Sequence, residues 1–233
     1  MKIKYFVLII IGFCLVACSK TDEDNKSDED NKSYEFYVPS SGNFMNVFIT
    51  KPVQLQLEFG YNHESTICMW ILHNTSGSAG YRSSTAARLE LYNKYAEYYG
   101  DTAYYCMHTI GVPNACVAPL SKIEVTSDRD YDEAHPAGTI LNDLFLLRYP
   151  RYYQYIKSGY KPRQGLNSYA LDTVSELTVF KDEPLFSDET HLIFKKYPDT
   201  PGKYTFTVAF TFGEDPLTGE KVELSPASIE IEF

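Results

Sequence analysis

The chain lacks an excess of positive charge. It has 21 Lys and Arg residues against 31 Asp and Glu residues, which gives a formal net charge of −10 at pH 7. Binding to nucleic acid needs clustered cationic side chains that contact the phosphates, and the sequence contains no such cluster. We therefore expect no nucleic-acid partner.

The chain also lacks the short motifs that mark many catalytic and cofactor sites. It has no Gly-x-Ser-x-Gly elbow, no phosphate-binding loop and no pair of histidines at His-x-x-x-His spacing. We therefore expect no metal and no cofactor, and a non-enzymatic protein is favoured. Paired carboxylates for glycoside cleavage need not lie close together in sequence, so a surface glycoside hydrolase, or an accessory to a peptidase, is the alternative. The five histidines are His63, His73, His108, His135 and His191.

Tryptophan is scarce, whereas tyrosine and phenylalanine are abundant. The single Trp70 falls in a continuous apolar run, 66–72, and is expected in the core, while 20 Tyr and 14 Phe favour strands. One group of tyrosines lies between Tyr92 and Tyr105, and a second includes Tyr152, Tyr153 and Tyr155. Such rings suit contact with a protein or a sugar; the alternative is that they pack between a helix and the sheet.

Long apolar stretches are rare, and the most prominent one opens the chain. Lys2 and Lys4 precede an apolar run over 5–11, and the small residue Ala17 precedes Cys18. This run is much shorter than the roughly 20 residues that a membrane-spanning helix needs. The pattern is typical of a secretory signal, so we predict a signal peptide over 1–17.

The end of this leader, Leu15-Val16-Ala17-Cys18, resembles the lipobox of bacterial lipoproteins. The resemblance implies that the Cys18 thiol receives a diacylglycerol and that the new amino terminus is acylated. Together these modifications supply three acyl chains, which would hold the protein firmly at a membrane. The alternative is an ordinary cleaved signal whose first mature residue is a cysteine.

A polar, charged segment follows Cys18. The hexapeptide Asp-Glu-Asp-Asn-Lys-Ser occurs at 22–27 and again at 28–33. Because it has so little apolar surface to bury, we predict a flexible tether over 18–33. Lys20 followed by acidic residues resembles the export signal of Bacteroidetes lipoproteins, which implies an outer-membrane location facing the cell exterior. A spacer without sorting information is the alternative.

The remaining residues, 34–233, are predicted to form one domain of many short strands. Two helical insertions are expected, one near 85–100 and one near 151–159. In the first, Ala86, Leu89, Tyr92 or Asn93, and Ala96 fall at helical spacing. Gly100 is expected to end the first of them. The predicted strands cover 54–59, 66–72, 103–109, 122–126, 172–180, 190–196, 203–212 and 221–233, and 139–149 has a further apolar pattern.

Alternating short strands and turns favour a mainly β, antiparallel sandwich. The segment 201–208, with the final alternating strand after it, resembles the last hairpin of immunoglobulin-like bacterial surface domains. More loosely, 123–142 followed by this hairpin is similar to an uncharacterised family of Bacteroidetes outer-membrane lipoproteins. The resemblance implies an immunoglobulin-like β-sandwich at the cell surface that binds a glycan, a peptide or a neighbouring outer-membrane protein. A purely structural envelope component is a further alternative.

Three cysteines lie in the predicted domain. An exported protein meets an oxidising compartment, so we predict a disulfide between Cys106 and Cys116, with Cys68 buried in its strand as an inert thiol. The alternative is three reduced thiols.

Two further patterns are weaker. The acidic run 128–133 lacks the glycine and the final carboxylate of an EF-hand loop, which favours a solvated turn over a calcium site. Asp101-Thr102-Ala103 and Asp172-Thr173-Val174 resemble the Asp-Thr-aliphatic acceptor for O-glycosylation in Bacteroidetes, which makes Thr102 and Thr173 candidate acceptors.

Overall fold

Two antiparallel sheets of five and three strands pack face to face, and a mixed sheet of four short strands adjoins them. The computed structural model describes residues 42–60, 66–73, 78–80, 85–104, 113–161, 169–174 and 184–233. Cys18, the leader, the tether and Cys106 lie outside these residues. The strands are β1 Val47–Ile49, β2 Pro52–Phe59, β3 Thr66–His73, β4 Ser78–Gly80, β5 Asn114–Cys116, β6 Leu120–Ser127, β7 Phe145–Pro150, β8 Tyr169–Thr173, β9 Phe186–Ser187, β10 Glu189–Phe194, β11 Lys203–Phe212 and β12 Ala227–Glu232, and the helices are α1 Ala86–Tyr99 and α2 Tyr152–Lys157.

The strand order confirms the predicted antiparallel sandwich with helical insertions. One sheet has the order β2-β3-β10-β7-β8 and the other has the order β12-β11-β6, with antiparallel pairing throughout. The constant-type immunoglobulin domain has strands A-B-E-D in one sheet and C-F-G in the other. Here β2, β3, β10 and β7 take the places of A, B, E and D, and β6, β11 and β12 take those of C, F and G.

A tyrosine at the start of β11 supports this assignment. The Tyr204 hydroxyl donates a hydrogen bond to the carbonyl of Thr200 at 2.7 Å, and the ring is fully buried. In immunoglobulin domains a tyrosine near the start of strand F makes the same bond to the backbone a few residues upstream. The bond fixes the corner at which the chain passes from β10 to β11.

The sandwich core lies between the two sheets. Alternate residues of β11 point inward, and Phe206 packs against Phe145 and Phe194 of the facing sheet at centroid distances of 6.2 and 5.4 Å. The 203–212 prediction matches β11 at both ends, because alternate burial is the signal that sequence patterns record best.

The insertions build the third sheet. The segment between β3 and β6 supplies β4, α1 and β5, and the segment between β7 and β10 supplies α2, β8 and β9. The order β4-β1-β5-β9 joins parts of both insertions to the strand that precedes the sandwich, with β1 and β5 parallel. The helices α1 and α2 pack on this sheet around a second hydrophobic cluster.

Helix α1 buries part of the predicted face and two tyrosines outside it. Tyr92 and Ala96 are buried as predicted, Ala86 and Leu89 are exposed, and Tyr95 and Tyr99 are buried as well. The tyrosines tolerate burial because each hydroxyl has a partner: Tyr92 donates to the Met45 carbonyl at 2.7 Å and Tyr99 to the Val117 carbonyl at 2.5 Å. The predicted end is confirmed, since Gly100 caps the helix with a positive φ of 74°.

Candidate binding site on the outer face of the five-stranded sheet

Strand alternation sorts the side chains of β2 and β3 onto two faces. Leu55 and Met69 belong to the sandwich core, so Gln56 and Trp70 point to the opposite, outer face. Trp70 is half-buried there. The expectation that Trp70 anchors the core is therefore wrong: the apolar run 66–72 concealed an alternation in which only Ile67, Met69 and Ile71 face the other sheet.

Cross-strand register aligns the outer side chains in two rows. Each row runs across neighbouring strands at the spacing of direct cross-strand pairs, which brings side chains from distant segments into contact range. The first row is Gln56, Trp70 and Glu189, and the second row is Glu58, Cys68, His191 and Arg148.

The first row borders a cavity of about 370 Å³, which we call the Trp70 cavity. Its lining combines one aromatic ring and one exposed aliphatic side chain with amide, carboxylate and imidazole groups. The cavity is open to solvent, and it offers an apolar surface beside a few polar groups, which are the two kinds of contact that ligand sites combine. The described lining includes Gln56, Glu58, Trp70, Leu72, His73 and Asp188.

Asp188 reaches this cavity from the junction of β9 and β10. Its carbonyl accepts a hydrogen bond from the Ile71 backbone N–H at 3.1 Å, which ties the junction to β3. Asn114 Nδ2 donates to Asp188 Oδ2 at 2.8 Å, and Asn46 Nδ2 in turn donates to Asn114 Oδ1 at 3.1 Å. The Asp188 carboxyl is therefore held in place by the mixed sheet.

The environment of Asp188 changes its acidity. Burial raises the pKa of this carboxyl to about 6, the charge of Glu189 adds to the rise, and the Asn114 hydrogen bond opposes it. A carboxyl of this kind exchanges its proton near neutral pH, which is a property of general acids and of selective binding groups.

His73 is oriented by a neighbouring strand. Its Nδ1 lies 2.8 Å from the Ser78 hydroxyl of β4, and Ser78 is buried. The imidazole therefore lies at the end of the cavity where the five-stranded sheet meets β4.

The second row places a thiol beside an imidazole, and this imidazole lies near the Glu189 carboxylate of the first row. Cys68 Sγ lies 3.2 Å from His191 Nδ1, and His191 Nε2 lies 3.9 Å from Glu189 Oε1. Cysteine nucleophiles use this order of groups. Here, however, Cys68 is fully buried, and burial, followed by the charges of Glu58 and Glu189, raises the pKa of its thiol. The predicted burial of Cys68 is confirmed, and its thiol is unsuited to nucleophilic attack.

The predicted tyrosine surface is largely part of the second core. Tyr155 is buried, with its ring centroid 4.9 Å from that of Phe44, so Tyr155 is corrected from a binding aromatic to a core residue. Tyr152 and Tyr153 are half-buried and pack on Phe44 and Tyr99 at 5.6 and 6.2 Å. These tyrosines therefore agree with the alternative expectation, in which the rings pack between a helix and a sheet.

The acidic turn 128–133 uses its carboxylates within the protein. Asp128 accepts a hydrogen bond from the Thr205 backbone N–H at 2.7 Å, and Asp130 accepts one from Ala137 N–H at 2.8 Å. Asp132 Oδ1 lies 2.6 Å from His135 Nδ1. Within the described ranges, no three metal-binding side chains converge on one point.

The remaining predicted sites are dispersed. Thr102 is exposed next to Asp101, which is fully buried, and Thr173 is half-buried at the end of β8. Cys116 is a buried free thiol, and its predicted partner Cys106 lies outside the described residues, so this pairing stays a prediction.

Sequence reasoning missed the Trp70 cavity because its members are far apart in sequence. Gln56, Trp70 and Asp188 meet only through strand pairing and through a junction whose two-residue strand, β9, carries no periodic signal. The sequence signal that could have indicated the site is the alternation of polar residues in β2, at Gln54, Gln56 and Glu58, which predicts one solvent-exposed face.

No helix in the described part of the chain is both long and apolar enough to cross a membrane. Comparison with protein-family models, curated proteins and solved structures finds no match to this chain.

Proposed function

We propose that this protein is a non-catalytic, lipid-anchored component of the cell envelope that binds a glycan in the Trp70 cavity. The observation that carries the proposal is the half-buried Trp70 ring surrounded by the Gln56 amide and by the Glu58 and Asp188 carboxyls. A sugar ring has C–H faces that pack on an aromatic surface and hydroxyl edges that hydrogen-bond to amides and carboxylates. The cavity offers both kinds of contact.

The proposed location rests on the leader. Lipid on Cys18 would hold the protein at the outer membrane, and the acidic tether 18–33 would separate the sandwich from the bilayer on the outer side. Replacing Cys18 with serine is expected to abolish incorporation of labelled palmitate and to release the protein from the membrane fraction. Retention of the variant in that fraction would contradict the anchor.

Binding is testable because Trp70 is the only tryptophan of the chain. Saturable changes in its fluorescence are expected when the full chain in detergent is titrated with oligosaccharides from a glycan panel. Calorimetry on Trp70→Ala is expected to show loss of that binding, whereas the matched change Tyr98→Ala, at an exposed aromatic on α1, is expected to leave it intact. Equal loss in both variants would contradict the assignment.

A second candidate function, glycoside hydrolysis, is favoured by one observation. Glu58 and Asp188 line the same cavity, so two carboxyl groups face it, and the pKa of about 6 for Asp188 suits a general acid. Glycan turnover that disappears in Glu58→Gln and Asp188→Asn, while binding persists, would establish the hydrolase. Binding without turnover supports the non-catalytic function.

A further inference from the structure

The described groups around Trp70 carry charge of one sign. Glu58 and Asp188 line the cavity, and Glu189 lies directly opposite Trp70 in the neighbouring strand β10. The described lining contains neither Lys nor Arg. A ligand in this cavity therefore meets carboxylates beside the face or edge of an indole ring.

Among the described residues, no lysine or arginine side chain forms an ion pair with these carboxylates. Asp188 has a neutral hydrogen-bond partner in Asn114, and Glu189 lies 3.9 Å from the imidazole of His191. Across the described ranges, no Lys or Arg forms an ion pair with Glu58, Asp188 or Glu189. Elsewhere on the same domain exposed carboxylates do have such partners, as in the Lys203–Glu230 pair at 2.7 Å.

Two physical effects at this position act in the same direction. The face of an indole ring attracts a cation through its quadrupole, and Trp is the strongest of the aromatic side chains in this respect. Asp188 is half-buried, so its carboxylate attracts the same cation with less screening than a carboxylate in bulk water, and the exposed Glu58 carboxylate adds a weaker attraction. A cationic group that contacts both the indole ring and the carboxylates is stabilised by both interactions.

We infer that the Trp70 cavity selects a glycan that carries a protonated amine, namely an amino sugar whose nitrogen is not acylated. This inference rests on the proposed glycan-binding function and names its ligand class. The ammonium group lies between the Trp70 ring and the carboxylates of Glu58 and Asp188, while the exposed Gln56 amide bonds hydroxyl groups. A bare metal ion fits less well, because an indole ring supplies no ligand atom for it.

The test compares two ligands that differ only at nitrogen. The full chain in detergent is titrated calorimetrically with glucosamine oligomers and with N-acetylglucosamine oligomers of the same length and linkage. The amino form is expected to bind about tenfold more tightly, and this preference is expected to shrink as salt is added.

Variants assign the preference to the carboxylates. Glu58→Gln combined with Asp188→Asn keeps the shapes of both side chains and is expected to reduce the preference to about twofold or less. Glu97→Gln on the exposed side of α1 is the matched control and is expected to leave the preference unchanged. Circular dichroism of each variant shows whether it is folded.

The outcomes separate the inference from the function on which it rests. Equal binding of both oligomers, lost in Trp70→Ala, overturns the selectivity but leaves glycan binding in place. Absence of binding to the whole glycan panel overturns both. Binding of a lysine-rich peptide but of neither oligomer also overturns the inference, and it identifies the ammonium-bearing partner as a protein.

Discussion

The Tyr95 hydroxyl on α1 donates a hydrogen bond to Asp215 Oδ2 in the loop between β11 and β12. Both residues are buried, and the Asp215 carboxylate also accepts from the backbone N–H of Leu217 at 2.9 Å. One side-chain contact thus joins the inserted helix to the sandwich.

Tyr95→Phe is expected to destabilise the protein by about 1.5–3 kcal/mol, because it removes a hydrogen bond to a buried charged group. Urea unfolding followed by circular dichroism measures the change. Tyr98→Phe, at a ring that is 57% exposed, is the control and is expected to change stability by less than about 0.5 kcal/mol. Equal effects of the two changes would show that the contact contributes nothing specific.

The buried Asp101 is expected to be intolerant of its closest replacement. Its Oδ1 accepts from Phe44 N–H at 2.7 Å and from the Tyr160 hydroxyl at 2.9 Å, and its Oδ2 accepts from Met45 N–H at 2.8 Å. In Asp101→Asn an amide NH₂ must face one of these donors, so we expect a loss of about 1–3 kcal/mol in urea unfolding.

The adjacent exposed position supplies the control for Asp101→Asn. Thr102→Ala is expected to change stability by less than about 0.5 kcal/mol. An Asp101→Asn variant as stable as the wild type would show that the three hydrogen bonds are dispensable.

His135 is expected to make stability depend on pH. Its imidazole is flanked by Asp132 at 2.6 Å and Asp143 at 3.3 Å, while Lys196 and Asp199 complete the charged surroundings. The hydrogen bond from His135 to Asp132, which is the largest effect, raises the pKa of this imidazole in the folded state. Its contribution is therefore fully present below the unfolded pKa of about 6.5 and is lost as pH rises through the higher folded pKa.

The His135→Gln variant tests this dependence. The difference in unfolding free energy between wild type and variant is expected to be largest near pH 5.5 and smallest near pH 8.5, roughly one to two units either side of the unfolded pKa. Acid titration below this range reports instead on Asp132, because hydrogen bonds from Lys196 and His135 hold the pKa of that carboxyl well below its usual value. A difference that grows with rising pH would contradict the assignment.

Cys116 is expected to resist alkylation in the native protein. Burial raises the pKa of its thiol to about 12, so both access and thiolate formation are suppressed. Peptide mapping of the reduced protein after treatment with iodoacetamide should find Cys116 unmodified in native buffer and modified in urea. A non-reducing map of the unreduced protein tests the predicted bridge to Cys106, and rapid native labelling would contradict the buried position.

The sequence predicted the elements whose burial follows a regular period. The alternation in β11 and the apolar run of β3 locate two central strands, and Gly100 marks the end of α1. The predicted buried face of α1 was right at Tyr92 and Ala96 but missed Tyr95 and Tyr99, because hydropathy treats these two tyrosines as half-polar residues. Their hydroxyls have partners that only the folded chain supplies.

Periodic sequence patterns could predict neither the third sheet nor the candidate site. Strands β1, β4, β5 and β9 are two or three residues long, so no period distinguishes them from loops. Trp70 and Asp188 are brought together by the pairing of β3 with β10, which is a long-range contact that no local signal records.

The parallel pair of β1 and β5 has a consequence for folding during synthesis. Val47 is made early, yet its partners Asn114 and Gly80 lie far along the chain, and β9, which completes the sheet, comes later still. Closing such long loops is slow, so β1 cannot pair until residues 78–80 and 114–116 have been made, and its sheet is complete only after β9. Until α1 has emerged, Phe48 lacks the three tyrosine rings that pack on it, and this segment remains open to chaperones and proteases.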